Sequence, residues 1–247
     1  MQVLGIDIGG TGIKGAIVDA LTGEMVSERY RLDTPQPSTP EALAKTVKKL
    51  KDHFEWEGKV GCAFPTVVIN GKAIYSSNLD DSWVGTQIDE TLSKHCDGLK
   101  FTVINDADAA AIAEMRFGAG KGLSGLVIVV TIGTGLGSGV FYNGQLIPNF
   151  ELGRIYGRDG NVIEHYAAGS AKTREELSFK EYGKRFNFSW KHIQRICSPD
   201  HIIIGGGLSK KIHKFEKHIK INTPYSVSAK LNNSGIVGAA MYAAEKA

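Results

Sequence analysis

Residues 3–19 read VLGIDIGGTGIKGAIVD, and their interpretation decides the fold. An apolar run ends on Asp7, a turn built on Gly9, Gly10 and Gly12 follows, and the chain returns through GAIVDA. That is strand, glycine turn, strand. A dinucleotide-binding fingerprint or a GxxxxGK[ST] loop would open a helix, whereas this turn leads into another strand. The Thr22-Gly23 turn then leads to a third strand.

The pattern returns about 125 residues later. GLVIVVTIGTGLGSGVFYNGQLI (125–147) gives strand, glycine turn, strand, Asn143-Gly144 turn and strand. Two such hairpins predict duplicated halves. Between them, Leu43, Val47, Leu50 and Phe54 recur at helical spacing after the proline-rich loop TPQPSTP. Residues 58–83 give two further strands and a loop, and FTVINDADAAAIAEMRFGAG (101–120) is a strand running into an alanine-rich helix with Gly118 as its stop. Beyond residue 160 the chain reads as mostly helical, broken by HIIIGGGLSKK, a buried strand with three glycines before a basic helix. GIVGAAMYAAEKA is a closely packing small-residue helix. The expected division is an N-terminal α/β domain over 1–105 and a C-terminal one over 106–247, with the last helix packing back on the first.

The 247 residues, 42% apolar and 22% charged, suit a soluble globular protein with ample core. A net charge of +3 is too small to point to nucleic acid, and no apolar run is long enough for a membrane span. MQVLGIDIGG enters a strand directly, which predicts no signal peptide. Cys62, Cys96 and Cys197 are scattered, which predicts reduced thiols in a cytoplasmic protein and no cysteine-based zinc site.

Both glycine turns suit phosphate. Glycine lets the backbone approach a ligand and adopt positive φ, so that N–H groups converge on phosphate oxygens. The candidates are Asp7, Gly9, Gly10, Thr11, Gly12 and Lys14 in the first turn and Thr131, Gly133, Thr134 and Gly135 in the second. Gly205, Gly206 and Lys210 join them, because a helix N-terminus after the third glycine cluster would attract an anion. The Asp7 carboxylate suits Mg²⁺, directly or through water. Asn105-Asp106-Ala107-Asp108 marks a strand meeting a helix. Asp106 or Asp108 fits an N-cap, and Asp106 also fits a general base kept ionised by the helix dipole; the two roles of Asp106 are compatible. A loose phosphoryl-transfer transition state releases the nucleophile's proton late, so a base of low pKa suffices there.

DIGGTGIKGA, INDADAAAIAEMRFGAGKG, VTIGTGLGSGVF, IIIGGGLSKK and NNSGIVGAA together resemble the ROK sugar kinases, and more narrowly their polyphosphate-dependent glucokinases. TPQPSTPEALA and SNLDDSW resemble that subgroup too. The resemblance spans nearly the whole chain. It implies the two-domain α/β fold of hexokinase and actin (ribonuclease H-like) with an active-site cleft between domains, a Mg²⁺ ion, and phosphoryl transfer to the 6-hydroxyl of glucose or a related hexose. It places the catalytic base on Asp106 and sugar contacts on Asn78, Asn105, Asp106 and Glu151. The family's cysteine-rich zinc motif is missing, so no zinc is expected. A homodimer is expected from resemblance alone.

A polyphosphate donor fits a basic track: Lys210, Lys214 and Lys217 fall at helical spacing opposite Ile212, Phe215 and Ile219, and Arg116 and Lys121 follow the catalytic helix. ATP is the less favoured donor. The match breaks in NFELGRIYGRDG (149–160). The subgroup's glutamate is kept as Glu151, but Arg154 and Tyr156 replace its histidine and second glutamate. Arginine only donates, where a neutral histidine can also accept. Mispairing buried polar groups costs about 1–3 kcal/mol each, so two changes weaken sugar binding by roughly one to four powers of ten. Three readings stay open: a kinase with a rearranged pocket in which Arg154 donates to hydroxyls and Tyr156 or Glu164 helps, a kinase for another acceptor, or a catalytically weak sugar or polyphosphate sensor.

Overall fold

The computed structural model describes residues 1–75, 78–157, 160–229 and 233–246. Ser77 of SNLDDSW and Asn232 of NNSGIVGAA, named above within motifs, lie outside them. The chain forms two compact units, Met1–Ala113 with Asn232–Ala247, and Glu114–Leu231.

The first unit opens with the expected hairpin. β1 (Gln2–Ile8) and β2 (Gly12–Asp19) pair antiparallel with Asp7 opposite Lys14, and β3 (Tyr30–Asp33) continues the meander. α1 (Pro40–His53) starts at Thr39, whose hydroxyl accepts from Ala42 N at 3.4 Å, and buries Leu43, Ala44, Val47 and Leu50. β4 (Val60–Phe64) follows, buried at every residue. Where two full strands were expected there is instead β4 and the short hairpin β5 (Val68–Ile69) and β6 (Lys72–Ala73). α2 (Ile88–His95) leads to β7 (Phe101–Asn105), and α3 (Asp106–Phe117) starts where that strand ends. The sheet order is β3-β2-β1-β4-β7, with β1, β4 and β7 parallel.

The second unit repeats this plan. β8 (Leu126–Ile132), β9 (Leu136–Tyr142) and β10 (Gln145–Ile147) form the meander. α4 (Ile163–Ala167), α5 (Gly169–Arg174) and α6 (Phe179–Cys197) precede β11 (His201–Gly205) and β12 (Tyr225–Val227). The order β10-β9-β8-β11-β12, with β8, β11 and β12 parallel, matches the first sheet strand for strand. The repeat read from the glycine turns therefore extends over whole sheets.

α7 (Ser234–Glu245) belongs to the first unit and lies on its sheet. Its small residues permit backbone contact: a Cβ at Gly61 would lie 2.0 Å from the Ala239 carbonyl oxygen, and one at Gly5 would lie 2.2 Å from that of Ile236. A Cβ at Gly238 would lie 1.7 Å from the Ala109 carbonyl oxygen, so the first turns of α3 pack on α7. That contact explains why the unit boundary falls at residues 113 and 114, eight residues beyond the expected division at 105 and inside α3.

The basic helix expected after the third glycine cluster is absent. Residues 209–214 and 216–218 form two 3₁₀ segments, and Lys211 inside the first departs from helical geometry with φ −112° and ψ 15°. Ile212, Phe215 and Ile219 are buried, and Lys210, Lys214 and Lys217 are exposed, so the two-faced character survives the change of helix type. The proposed anion site at a helix N-terminus does not: this six-residue 3₁₀ turn is not the α-helix that argument needs. Among the described residues no helix is long and apolar enough to cross a membrane.

Candidate active site

In the first unit the glycine turn is closed by Gly9 N–H donating to the Gly12 carbonyl at 3.0 Å. None of Gly9, Gly10 and Gly12 has positive φ, contrary to the expectation from glycine's conformational range. What glycine supplies here is room. A Cβ at Gly10 would lie 3.0 Å from the Asn78 carbonyl oxygen, and one at Gly12 would lie 2.8 Å from the Arg31 guanidinium. Asn78, exposed, thus lies against the turn through its backbone. Asp80 and Trp83 anchor its loop: Asp80 N–H donates to Ser38 Oγ, and the buried Trp83 Nε1 donates to the Ser38 carbonyl, both at 2.9 Å. Thr34 Oγ1 donates to the Gly9 carbonyl at 2.5 Å, and Arg31 Nη2 to the Thr11 carbonyl at 3.0 Å. The turn is thereby braced from the TPQPSTP segment and from β3, while Thr11 stays exposed.

Asp7, the penultimate residue of β1, lies beside this turn with 25% of its side chain exposed, and Lys14 Nζ lies 3.6 Å from Oδ2. Burial pushes the Asp7 carboxyl above the ordinary carboxylate range, and the neighbouring ammonium opposes the shift. A Cβ at Gly235 would lie 3.0 Å from Asp7 Cγ, so the first turn of α7 closes on the carboxylate. An open depression of about 590 Å³ lies here, lined by Asp7, Lys14, Arg29, Asn233, Ser234 and Gly235.

The head of α3 corrects the capping assignment. Asn105, not Asp106 or Asp108, is the N-cap: its Oδ1 accepts from Ala107 N at 2.8 Å and Asp108 N at 3.0 Å, while its Nδ2 donates to the Thr66 carbonyl at 2.9 Å. Asp106 is the first helical residue, half-buried, and its Oδ1 also accepts from Ala107 N at 2.8 Å. The asparagine thus carries the structural duty, and Asp106 stands beside it at the strand-to-helix junction.

In the second unit Gly133 N–H donates to the Gly135 carbonyl at 3.0 Å, repeating the first turn with one residue fewer. Thr131 stands where Asp7 stands in the first hairpin, opposite Gly137 rather than a lysine. Gly133 and Thr134 are exposed. Glu164 enters this turn: its Oε2 accepts from Leu136 N at 2.7 Å and would lie 2.5 Å from a Cβ at Gly135. Gly169 N–H donates to the Gly133 carbonyl, and Leu208 N–H to that of Ile132. Gly206, at φ +83°, turns the chain against Ile132. The turn, the start of α5 and the 205–207 glycines with Leu208 therefore converge.

The segment that carries Glu151 and Arg154 is tied to β9. Ser138 Oγ donates to the Phe150 carbonyl at 2.5 Å and accepts from Leu152 N at 3.0 Å. Residues 152–154 form a 3₁₀ turn, with Glu151 half-buried, Arg154 exposed and Tyr156 70% exposed. The penalty reckoned above for mispaired buried groups therefore does not apply to Arg154 or Tyr156 as they stand.

The ROK family sequence model matches residues 3–150, spanning the first meander, α3 and the second glycine turn. The chain belongs to the ROK family. Among its curated ROK relatives, polyphosphate glucokinase of Mycobacterium tuberculosis (strain CDC 1551 / Oshkosh) is 43% identical over 237 residues, which cover 96% of this chain and 89% of the relative. The crystal structure of the inorganic polyphosphate/ATP-glucomannokinase from Arthrobacter sp. strain KM superposes with a TM-score of 0.90 at 40% identity, covering 98% of each chain. A ROK family glucokinase from Streptomyces griseus, in complex with glucose and AMPPNP, shares the fold with a TM-score of 0.84 at 23% identity. The fold is thus the hexokinase- and actin-like α/β fold of ROK sugar kinases.

Sequence reading missed Thr34 and Arg31 as braces of the first turn, Ser38 as the anchor of the Asn78 loop, and Glu164 as the carboxylate on the second turn. Glu164 and Leu136 are 28 residues apart, and no local pattern joins them.

Proposed function

We propose that this chain transfers a phosphoryl group from inorganic polyphosphate to the 6-hydroxyl of glucose, with ATP as the weaker donor. The 43% identity over 96% of the chain to a polyphosphate glucokinase carries this reading. The intact turns and the placement of Asp106 support it. Asp106 is the general base that accepts the attacking hydroxyl's proton, oriented by the Ala107 N–H on its other oxygen. Little covalent chemistry is required of the protein, so positioning and charge stabilisation carry the rate.

The first turn binds phosphate through the N–H groups around Gly10 and Thr11 and through Lys14, and the second through those around Gly133 to Gly135. Mg²⁺ fits Asp7. Among the described residues no group of three potential metal ligands occurs, and one carboxylate suits an ion that keeps waters and is completed by donor phosphates. When bound, Mg²⁺ neutralises charge on the transferring phosphoryl group. Glu151 and Arg154 form the acceptor wall, with Asn78 and Asn105 as further sugar contacts. The homodimer and the cytoplasmic setting belong to the same proposal; the latter accords with three free cysteines, of which Cys96 is pushed up by burial to about 11.

The test is a coupled glucose 6-phosphate assay with polyphosphate and with ATP, other hexoses being followed by donor consumption. Turnover of glucose with polyphosphate is expected. No turnover of any hexose with either donor would leave a binding protein. The exposed Arg154 and Tyr156 favour one variant of the reading, a retuned acceptor wall. With such a wall, Arg154→His with Tyr156→Glu should leave the KM for glucose unchanged or raise it, and a lower KM would show that the two replacements had weakened glucose binding.

A further inference from the structure

The second unit carries a concentration of positive charge that its own acids do not neutralise. Residues 172–220 hold twelve lysines and arginines against five acids, a net of +7 in a chain whose total is +3. Three of those acids are engaged elsewhere. Glu175 pairs with Arg174 at 2.8 Å and Arg185 at 2.6 Å, Glu181 closes the capping box of α6 with Ser178, and Asp200 accepts from Leu126 N.

The lysines left over share one face. Lys180 and Lys184, one turn apart on α6, and Lys217 and Lys220 on the facing segment are all exposed, and none forms a salt bridge among the described residues. Gly183 lets the two segments close up, since a Cβ there would lie 2.9 Å from His218 Cβ and 3.0 Å from Phe215 Cβ. Between them, burial first and then these four ammoniums hold the His218 imidazole below its ordinary pKa. Like charge is also gathered at Phe179, whose ring carries Lys172 Nζ at 4.5 Å and Lys214 Nζ at 5.2 Å from its centroid.

The patch is continuous with the second glycine turn. Lys172 lies three residues beyond Gly169, whose N–H bonds the Gly133 carbonyl, and the 209–220 segment starts from Leu208, bonded to Ile132. Basic side chains therefore lead from the turn along α5 and the 3₁₀ segment to the Lys180–Lys184–Lys217–Lys220 face.

We propose that this face binds the distal part of a linear inorganic polyphosphate chain whose reacting end lies at the glycine turn. The proposal rests on the donor reading above and deepens it. Such a surface fits a polyanion of uniform charge: it offers six ammoniums, Lys172, Lys180, Lys184, Lys214, Lys217 and Lys220, spread along two facing segments. Its occupation relieves the repulsion among lysines that lack acidic partners, and long chains gain contacts that a triphosphate cannot reach.

The experiment measures Kd for long-chain polyphosphate (about 100 phosphates) and for tripolyphosphate, from 50 to 200 mM salt, on the full chain. Wild type is compared with the quadruple variant Lys180→Gln/Lys184→Gln/Lys217→Gln/Lys220→Gln and with the corresponding arginine variant. If each lost contact removes about 0.7 from the log–log salt slope, as for single-stranded polyanions, the glutamine variant's slope is shallower by about 3. Its affinity deficit for the long chain then shrinks by about 50-fold across that interval. Its Kd ratio of tripolyphosphate to long chain falls towards one, and the arginine variant keeps the wild-type slope. An unchanged slope and ratio in the glutamine variant would overturn the proposal, as would tighter wild-type binding of single-stranded RNA of equal charge. Failure of the wild type to phosphorylate glucose from polyphosphate would instead sink the donor reading.

Discussion

Replacing Asn105 separates the capping duty that the structure gives it from the sugar contact proposed for it. In Asn105→Ala the N-terminus of α3 loses the acceptor for Ala107 N and Asp108 N, and the Thr66 carbonyl loses the amide that donates to it at 2.9 Å. Loss of an N-cap costs about 1 kcal/mol. Leaving a buried carbonyl without its donor costs about 1–3 kcal/mol more. Asn105 is 6% exposed and Thr66 3%, so water replaces little of either loss. The sum, about 2–4 kcal/mol, corresponds to a fall in Tm of about 5–15 °C at 2–4 °C per kcal/mol for a protein of this size. Asn105→Asp keeps the cap oxygen but sets a carboxylate against the Thr66 carbonyl, so its Tm should fall between the other two. Thermal unfolding by circular dichroism, beside glucose kinetics on the same preparations, gives both readouts. A Tm for Asn105→Ala within about 2 °C of wild type would refute the capping argument. Loss of turnover in Asn105→Asp at nearly unchanged Tm would show a direct role with the substrate.

Gly238→Ala brings a methyl group within 1.7 Å of the Ala109 carbonyl and should destabilise the first unit by about 1–3 kcal/mol, measured by denaturant unfolding; a loss below about 0.5 kcal/mol would mean that α3 and α7 separate freely. Asp97 accepts from Lys48 and Lys51, whose ammoniums hold its carboxyl down at about 2. Its contribution is present above the unfolded value of 3.8 and is lost as pH falls through about 2. Asp97→Asn should therefore be less stable than wild type at neutral pH and converge with it towards pH 2; a difference independent of pH would exclude the ion pairs as its source. The backbone there, at φ +58°, suits asparagine equally.

The two hairpins were legible because turn chemistry is local: glycine between apolar runs, Asn143-Gly144 between strands, and two copies of the pattern in one chain. The five-stranded order of each sheet follows from those hairpins plus parallel strands joined through helical or 3₁₀ segments. The helix type after Gly207 was not legible, because apolar residues three and four apart at Ile212, Phe215 and Ile219 suit either an α-helix or short 3₁₀ turns. Asn105 and Asp106 were both singled out, yet which of them caps α3 depends on where the strand stops, and sequence leaves that open by a residue. Contacts between distant segments were least accessible. Thr34 on Gly9, Ser38 on Trp83 and Glu164 on Leu136 bridge 25, 45 and 28 residues; the first and last shape the two glycine turns and the second anchors the Asn78 loop.

The central claim is that Asp106 acts chemically at the head of α3. The most direct measurement is kcat for glucose phosphorylation from polyphosphate in wild type and Asp106→Ala, alongside their Tm values. The cap oxygen belongs to Asn105, so Tm should move little while kcat falls by about 10²–10⁴. A fall in kcat below tenfold, or one that only follows a loss of stability, would reduce Asp106 to a structural residue and contradict the account.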